Sequence, residues 1–153
     1  MIVREAETGD TVGIVELSAA LFREDAGSRD PSTNLGWPEE EGHEYFSALV
    51  ADGDYVCLLA ESGGERVGYL AGRIKKGDAL RPVKAAELES MYVREGFRSC
   101  GFGAGLAGEF FRSAAEKGAE RVSVTAHAAN GRAIKFYESL GFRPMRVSLE
   151  REV

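Results

Sequence analysis

Apolar positions along the chain fall into two repeating patterns, one of period near 3.6 and one of period 2, and the switches between them mark out the elements. Residues 2–6 read as a short strand. Thr8, Gly9 and Asp10 then start a helix that contains Val12, Ile14, Val15, Leu17, Leu21 and Phe22, positions that mostly keep helical spacing. Residues 25–38 break every period and concentrate turn formers, which predicts a loop of a length that in compact domains is usually functional or mobile. An acidic helix follows over 39–52 with Tyr45, Phe46, Leu49 and Val50 inward. Two strands at 55–60 and 66–74 are joined by Ser62, Gly63 and Gly64, a hairpin signal.

The second half alternates: strand 86–93, helix 103–117, strand 121–125, helix 130–140, and a strand-like tail over 143–153. A helix that crosses between two strands implies a parallel pair, so an antiparallel start gives way to parallel pairing. The expectation is a mixed α/β domain around a central sheet. With 153 residues and no repeat, low-complexity stretch or linker, residues 1–153 suit a single domain.

Composition narrows the function classes. Hydrophobic residues make up 44% and charged residues 29%, as in soluble globular proteins, and no apolar run is long enough for a membrane helix. The first residues lack the apolar stretch of a secretory signal, which makes the cytoplasm the expected location. Cys57 and Cys100 are too few for a metal cluster and read as two free thiols, so no metal is expected. The net charge of −6 is uneven: residues 1–60 hold 13 acidic and 3 basic side chains, residues 61–153 hold 12 and 16. The acidic half suits a cationic amine and the basic half an anion, although Glu39, Glu40 and Glu41 serve equally as a solvated helix face. No basic stripe with interleaved aromatics appears, so a nucleic acid partner is not expected.

The chemistry concentrates at 98–103, Arg98, Ser99, Cys100, Gly101, Phe102 and Gly103, between a predicted strand and a predicted helix. A glycine-broken turn at a helix N-terminus presents unpaired N–H groups at the positive end of the helix dipole, a site for a phosphate-bearing ligand. The spacing lacks the third glycine of a dinucleotide fold, since Leu106 stands there, and the Gly-Lys-Ser/Thr ending of an NTP loop.

What remains is Arg/Gln-x-x-Gly-x-Gly/Ala, which resembles the pyrophosphate-binding signature of the GCN5-related N-acetyltransferase (GNAT) family. A second segment, Asn130 to Phe142 with Ala133, Phe136, Tyr137 and Gly141, resembles the family's Asn-x-x-Ala-x-x-Phe-Tyr-x-x-x-Gly-Phe. The resemblance implies the GNAT fold and a direct transfer of acetyl from acetyl-CoA to an amine. It implies that the pyrophosphate sits on Arg98, Ser99, Cys100, Gly101, Phe102, Gly103 and Ala104. It also makes Met91 and Val93 backbone contacts of the cofactor arm, Met91 N–H the candidate oxyanion donor, and Asn130 a side-chain contact as well as a helix cap.

An amine of reference pKa about 10.4 must lose a proton before attack, and a departing thiolate must gain one. Glu87 and Glu89 are two apart and share a strand face. By resemblance Glu89 is the base, acting directly or through water, while Glu87 reads better as a carboxylate that solvates an edge or pairs with an arginine. Tyr137 is by resemblance the acid, against the alternative of a core tyrosine in the stripe Ala133, Phe136, Tyr137, Leu140. His127 reads as structural, Cys100 as an alkylatable thiol and not a nucleophile, and Trp37, Tyr45 and Phe46 as either an acceptor wall or core. The acceptor is expected to be a small, cationic amine, with a protein amine as the rival and an acyl-CoA-binding sensor as the non-enzymatic one. Only eleven residues follow Phe142, against two strands in many relatives, so a partner subunit is expected to complete the cleft as a homodimer.

Overall fold

The computed structural model describes residues 1–26 and 30–153. Five strands, β1 (Ile2–Glu5), β2 (Tyr55–Ser62), β3 (Glu65–Lys75), β4 (Ala85–Val93) and β5 (Arg121–Val124), form one sheet in that order. Neighbours are antiparallel except β4 and β5, which run parallel around the crossover helix. The helices are α1 (Thr11–Leu21), α2 (His43–Ala51), α3 (Phe102–Glu116) and α4 (Gly131–Ser139). The mixed α/β architecture expected of the sequence is therefore present.

Alternation along the strands divides the interior between two faces. Val56, Leu58, Leu70, Ala86 and Leu88 pack against Phe102, Leu106 and Phe110 of α3 on one side. On the other, Cys57, Leu59, Tyr69 and Ala71 pack against Ile14 and Leu17 of α1 and Phe46 and Leu49 of α2.

The β3–β4 ladder carries one irregularity that matters for the site. Gly72 pairs with Leu88 but Ala71 pairs with Ser90, so Glu89 is an extra residue in β4. Such a bulge leaves one residue unpaired and re-aims those that follow. Glu89 and Ser90 thus both turn to the α1/α2 side, while Met91 and Val93 join the α3-side core. Beside the bulge, a Cβ on Gly72 would stand 2.5 Å from the Phe110 ring and 2.7 Å from the Glu87 carbonyl oxygen, so only glycine lets α3 lie this close to the sheet.

At the sheet's other edge, buried Asp10 accepts hydrogen bonds from Arg4 at 2.8 and 3.0 Å, from Arg66 at 2.9 and 3.2 Å, and from the Glu7 N–H at 2.8 Å. The Arg4 guanidinium above all holds its carboxyl well below the usual carboxylate range. One carboxylate thereby joins β1, β3 and the start of α1.

Two expectations need correction or restriction. The strand-like tail over 143–153 forms no strand, and Met145, Val147 and Leu149 are 76%, 83% and 89% exposed. Period-2 alternation specifies a face but not a partner, and here no strand of the described residues pairs with the tail. The loop expected over 25–38 begins inside a wide π-type turn, Phe22–Ala26, and ends at a second, Pro38–Gly42, that runs into α2; its residues 27–29 lie outside the described residues.

Replacing Gly72 with Ala forces Phe110 or the bulge to move, and overpacking of this kind costs about 1–3 kcal/mol. Chemical denaturation should show that loss, and a Gly72→Ala, Phe110→Leu double variant should recover part of it.

Candidate active site

β4 leads through a 3-10 turn, Glu95–Phe97, into the glycine-broken segment and then α3. Ser99 (φ 60°) and Gly101 (φ 88°) both lie in the left-handed region. For Ser99 this is a sparsely populated conformation for a residue with a Cβ. At Gly101 no atom stands within 4 Å of a built Cβ, so the requirement for glycine is conformational and not one of space. Ser99, Cys100 and Gly101 are exposed, and the first N–H groups of the fifteen-residue α3 have no intrahelical acceptor.

The predicted contacts divide into side chains and backbone. Phe102 is buried edge-on to Phe97, and Met91 and Val93 are packed into the core, so all three can offer a ligand only main-chain groups. Arg98 is already engaged: its Nε donates to the Val93 carbonyl at 2.8 Å, its Nη2 to Glu24 at 2.6 Å, and its guanidinium lies 5.4 Å from the Tyr92 ring centroid. That pairing lowers the pKa of Glu24.

The second motif lies directly against the first. A Cβ on Gly103 would stand 3.2 Å from the Phe136 ring, so the start of α3 and the middle of α4 meet through a missing side chain. Asn130 caps α4 by accepting the Ala133 N–H at 3.1 Å and donates from Nδ2 to Asp25 at 3.2 Å. Tyr137 is part-buried on the α3-side core, edge-on to Phe136 and Phe142. Burial, with a smaller contribution from Asp25, pushes its phenol up to about 12, so it stays protonated at neutral pH.

On the opposite face a cleft of about 460 Å³ opens between the sheet and the helical layer. Trp37, Tyr45 and Phe46 line it, their rings stacked edge-on in sequence, and Phe22 lies flat against Trp37 at 5.8 Å. Glu89 sits on the cleft wall, accepting from the Tyr45 hydroxyl at 3.4 Å and facing Arg73 Nε at 3.5 Å. Burial first, then the Glu89 charge, pushes the Tyr45 phenol up to about 12. Glu87 pairs with Lys75 and not with an arginine, and at this residue β4 is flanked by both β3 and β5, so it does not stand at an edge.

Glu89 and Tyr137 therefore flank β4 from opposite sides and do not touch. The opening between them is where the sheet parts: β4 and β5 pair only from Ala85↔Arg121 to Leu88↔Val124, and β4 runs on to Val93 beyond the last pair. His127 accepts the Ala129 N–H at 3.0 Å, a local turn contact in keeping with a structural role.

Sequence reasoning missed the acidic turn. Glu24 and Asp25, adjacent in the chain, hold Arg98 of the first motif and Asn130 of the second. It also missed Ser18, Tyr69 and Ser90, which line the floor of the cleft. A serine inside an apolar helix stripe and a tyrosine inside an apolar strand were the available signals.

A family model described as the acetyltransferase (GNAT) family matches residues 19–142. An N-alpha-acetyltransferase of Sulfurisphaera tokodaii is 30% identical over 119 residues, 74% of this chain and 71% of that protein. Other curated relatives are longer, and the chain spans 45% and 59% of two of them. Among solved structures, a mutant of the Bacillus halodurans protein BH1408 superposes with a TM-score of 0.91 at 19% identity over 100% of this chain and 99% of that one. An aminoglycoside acetyltransferase from an uncultured soil metagenomic sample, solved with sisomicin, gives 0.75 at 18% identity over 99% and 95%.

The raised phenols have a consequence for alkaline stability. A folded-state pKa near 12 against an ordinary 10 means that Tyr45 and Tyr137 bind their protons more tightly when folded. Their contribution is complete below pH 10 and is lost as pH rises towards 12. Thermal melts across that window should fall for the wild type and fall less steeply for Tyr137→Phe.

Proposed function

Because the chain belongs to the GNAT family of acetyltransferases, we propose that it moves an acetyl group from acetyl-CoA directly to the primary amine of a small molecule in a ternary complex. The observation that carries this reading is the meeting of both motifs, through Gly103 and Phe136, beside the gap between β4 and β5, with an aromatic cleft on the far side of that gap.

The residues fit the co-substrate. Exposed, left-handed main chain at Ser99 and Gly101, together with Cys100, Phe102, Gly103 and Ala104, forms the cradle for a pyrophosphate, with Arg98 alongside. Met91 and Val93 offer main-chain groups along β4, and Asn130 is held at the same end by its cap. Acetyl-CoA, when bound, supplies the thioester. Tyr137, neutral at physiological pH, gives a proton to the departing sulfur. Glu89, exposed on the cleft wall, takes the proton of the incoming ammonium, directly or through water, and its charge favours a cationic acceptor.

A cleft of about 460 Å³ walled by four aromatic rings favours a small acceptor over a peptide. The second reading, acetylation of a protein or peptide amine, is favoured by one finding, the N-alpha-acetyltransferase at 30% identity. The open outer edge of β5 and the alternately apolar, unpaired tail support a homodimer in which a tail strand of one copy pairs with β5 of the other. Two free cysteines suit a reducing, cytoplasmic setting.

Calorimetric titration with acetyl-CoA, desulfo-CoA and ATP, followed by thiol release against polyamines, aminoglycosides, arylalkylamines, amino acids and peptides, tests the reading. Acetyl-CoA should bind in preference to ATP, and thiol should appear only with certain small amines. Release with peptides alone would establish the second reading, and binding without release would leave a sensor. Tyr137→Phe should lower kcat about 100-fold with little change in acetyl-CoA affinity. Replacing Gly101 with Val should abolish acetyl-CoA binding, since a β-branched residue resists a φ of 88°.

A further inference from the structure

The floor of the aromatic cleft carries polar atoms that the acetyl transfer does not use. Ser18 of α1 and Tyr69 of β3 are 1% and 0% exposed, and both line the cleft. Neither Ser18 Oγ nor Tyr69 OH has a hydrogen-bond partner among the described residues. Ser90 of β4, turned to this side by the bulge, completes the group. Ser90 and Ser18 reach towards the Tyr69 hydroxyl as weak hydrogen-bond partners that hold down the rise burial imposes on its phenol, but no contact of Ser18 Oγ or Tyr69 OH meets full hydrogen-bond distance and angle.

Their neighbours on this face are otherwise apolar, chiefly Ile14, Leu17, Phe46, Leu59 and Ala71. A buried hydroxyl without a partner opposes folding, and an alanine or phenylalanine in its place would be neutral or stabilising. Two such groups from different elements, adjoining one cleft, are therefore ready for a partner that the free protein does not supply. The partner's charge is also constrained. Among the described residues that line the cleft, Glu89 is the one charged side chain, and the nearest cation, Arg73 at 3.5 Å, is already paired with it. The carboxylate of an amino acid would stand beside its amine, against the Glu89 carboxylate, whereas a neutral hydroxyl can both donate to and accept from the floor.

Resting on the acetyltransferase reading above, we propose that Ser18, Tyr69 and Ser90 form a hydroxyl-recognition subsite, and that the acceptor is a primary amine whose compact apolar body carries one neutral hydroxyl group. The amine lies towards Glu89 and the gap beyond β4, the body against Trp37 and its ring neighbours, and the hydroxyl on the floor. Acceptors of the amino-alcohol or aminophenol class are selected over the corresponding amino acids.

The test compares phenethylamine, tyramine and tyrosine, which share one body and differ by a hydroxyl and then a carboxylate. Binding to the protein loaded with CoA is measured by calorimetry, so that the answer does not depend on turnover, and kcat/KM is measured where thiol is released. Tyramine should bind at least tenfold more tightly than phenethylamine, a difference of about 1.4 kcal/mol, and tyrosine at least tenfold more weakly than tyramine. Ser18→Ala and Tyr69→Phe, each taken separately, should bring the tyramine to phenethylamine ratio close to one. Both variants should keep or raise the melting temperature, because neither hydroxyl makes a full hydrogen bond in the free protein. Equal binding of tyramine and phenethylamine, or a lower melting temperature in both variants, would overturn the subsite. If the amines bind as expected but no thiol is released with any acceptor, the acetyltransferase reading fails while the subsite stands.

Discussion

One extra residue in β4, accommodated by one missing side chain in β3, is the constraint on which the rest of the site depends. The bulge at Glu89 breaks strict alternation, so that Glu89 and Ser90 face the aromatic cleft while Met91 and Val93 cross to the α3 side. Next to it, Gly72 lets Phe110 approach the sheet at a distance no Cβ would tolerate. Phe110 is a fully buried anchor of α3, and the N-terminus of α3 is the glycine-broken turn proposed to hold the pyrophosphate. The aromatic cleft and the glycine-broken turn are thus referred to the same two residues of the β3–β4 ladder, which is how groups on opposite faces keep their relation to the gap between β4 and β5.

The uneven charge of the chain takes a definite form in three dimensions. The acidic first half does not repel the basic second half but reaches over it, with Glu24 on Arg98 and Asp25 on Asn130. The wide turn at Phe22–Ala26 carries both carboxylates and also places Phe22 against Trp37, so one short segment contacts each motif and the cleft wall. Protonation is handled by burial more than by pairing. Tyr45 and Tyr137, on either side of β4, are held neutral mainly by loss of solvent, whereas Asp10 is held ionised by two arginines and joins β1, β3 and the start of α1.

Much of this was readable from the chain because it depends on local rules. Strand and helix periods placed every strand of the sheet and the four α-helices among the described residues, and the hairpin glycines, with φ of 57° and 80°, are where left-handed turns require them. The two motifs were readable because a glycine turn before a helix and an Asn cap are short-range devices. Those devices also located Gly101 and Asn130 without any tertiary information. The tail marks the limit of such reasoning: its alternation is that of a strand, but a strand exists only where a partner completes its ladder, and pattern alone does not supply one.

What tertiary structure decided was everything that depends on which distant segments meet. The bulge is invisible to alternation, because inserting one residue leaves the sequence pattern of Glu87 and Glu89 unchanged while reversing the side chains beyond them. The engagement of Arg98 by Glu24 and of Asn130 by Asp25 joins positions 74 and 105 residues apart, and no local preference encodes such a separation. Ser18 and Tyr69 look like minor interruptions of apolar stripes until α1 is laid across β3, when two uncommitted hydroxyls come to adjoin one cleft. The sequence by itself determined the elements, the two-faced sheet and the chemistry of its turns. Packing alone decided which polar groups are paired, which are not, and on which side of β4 each one lies.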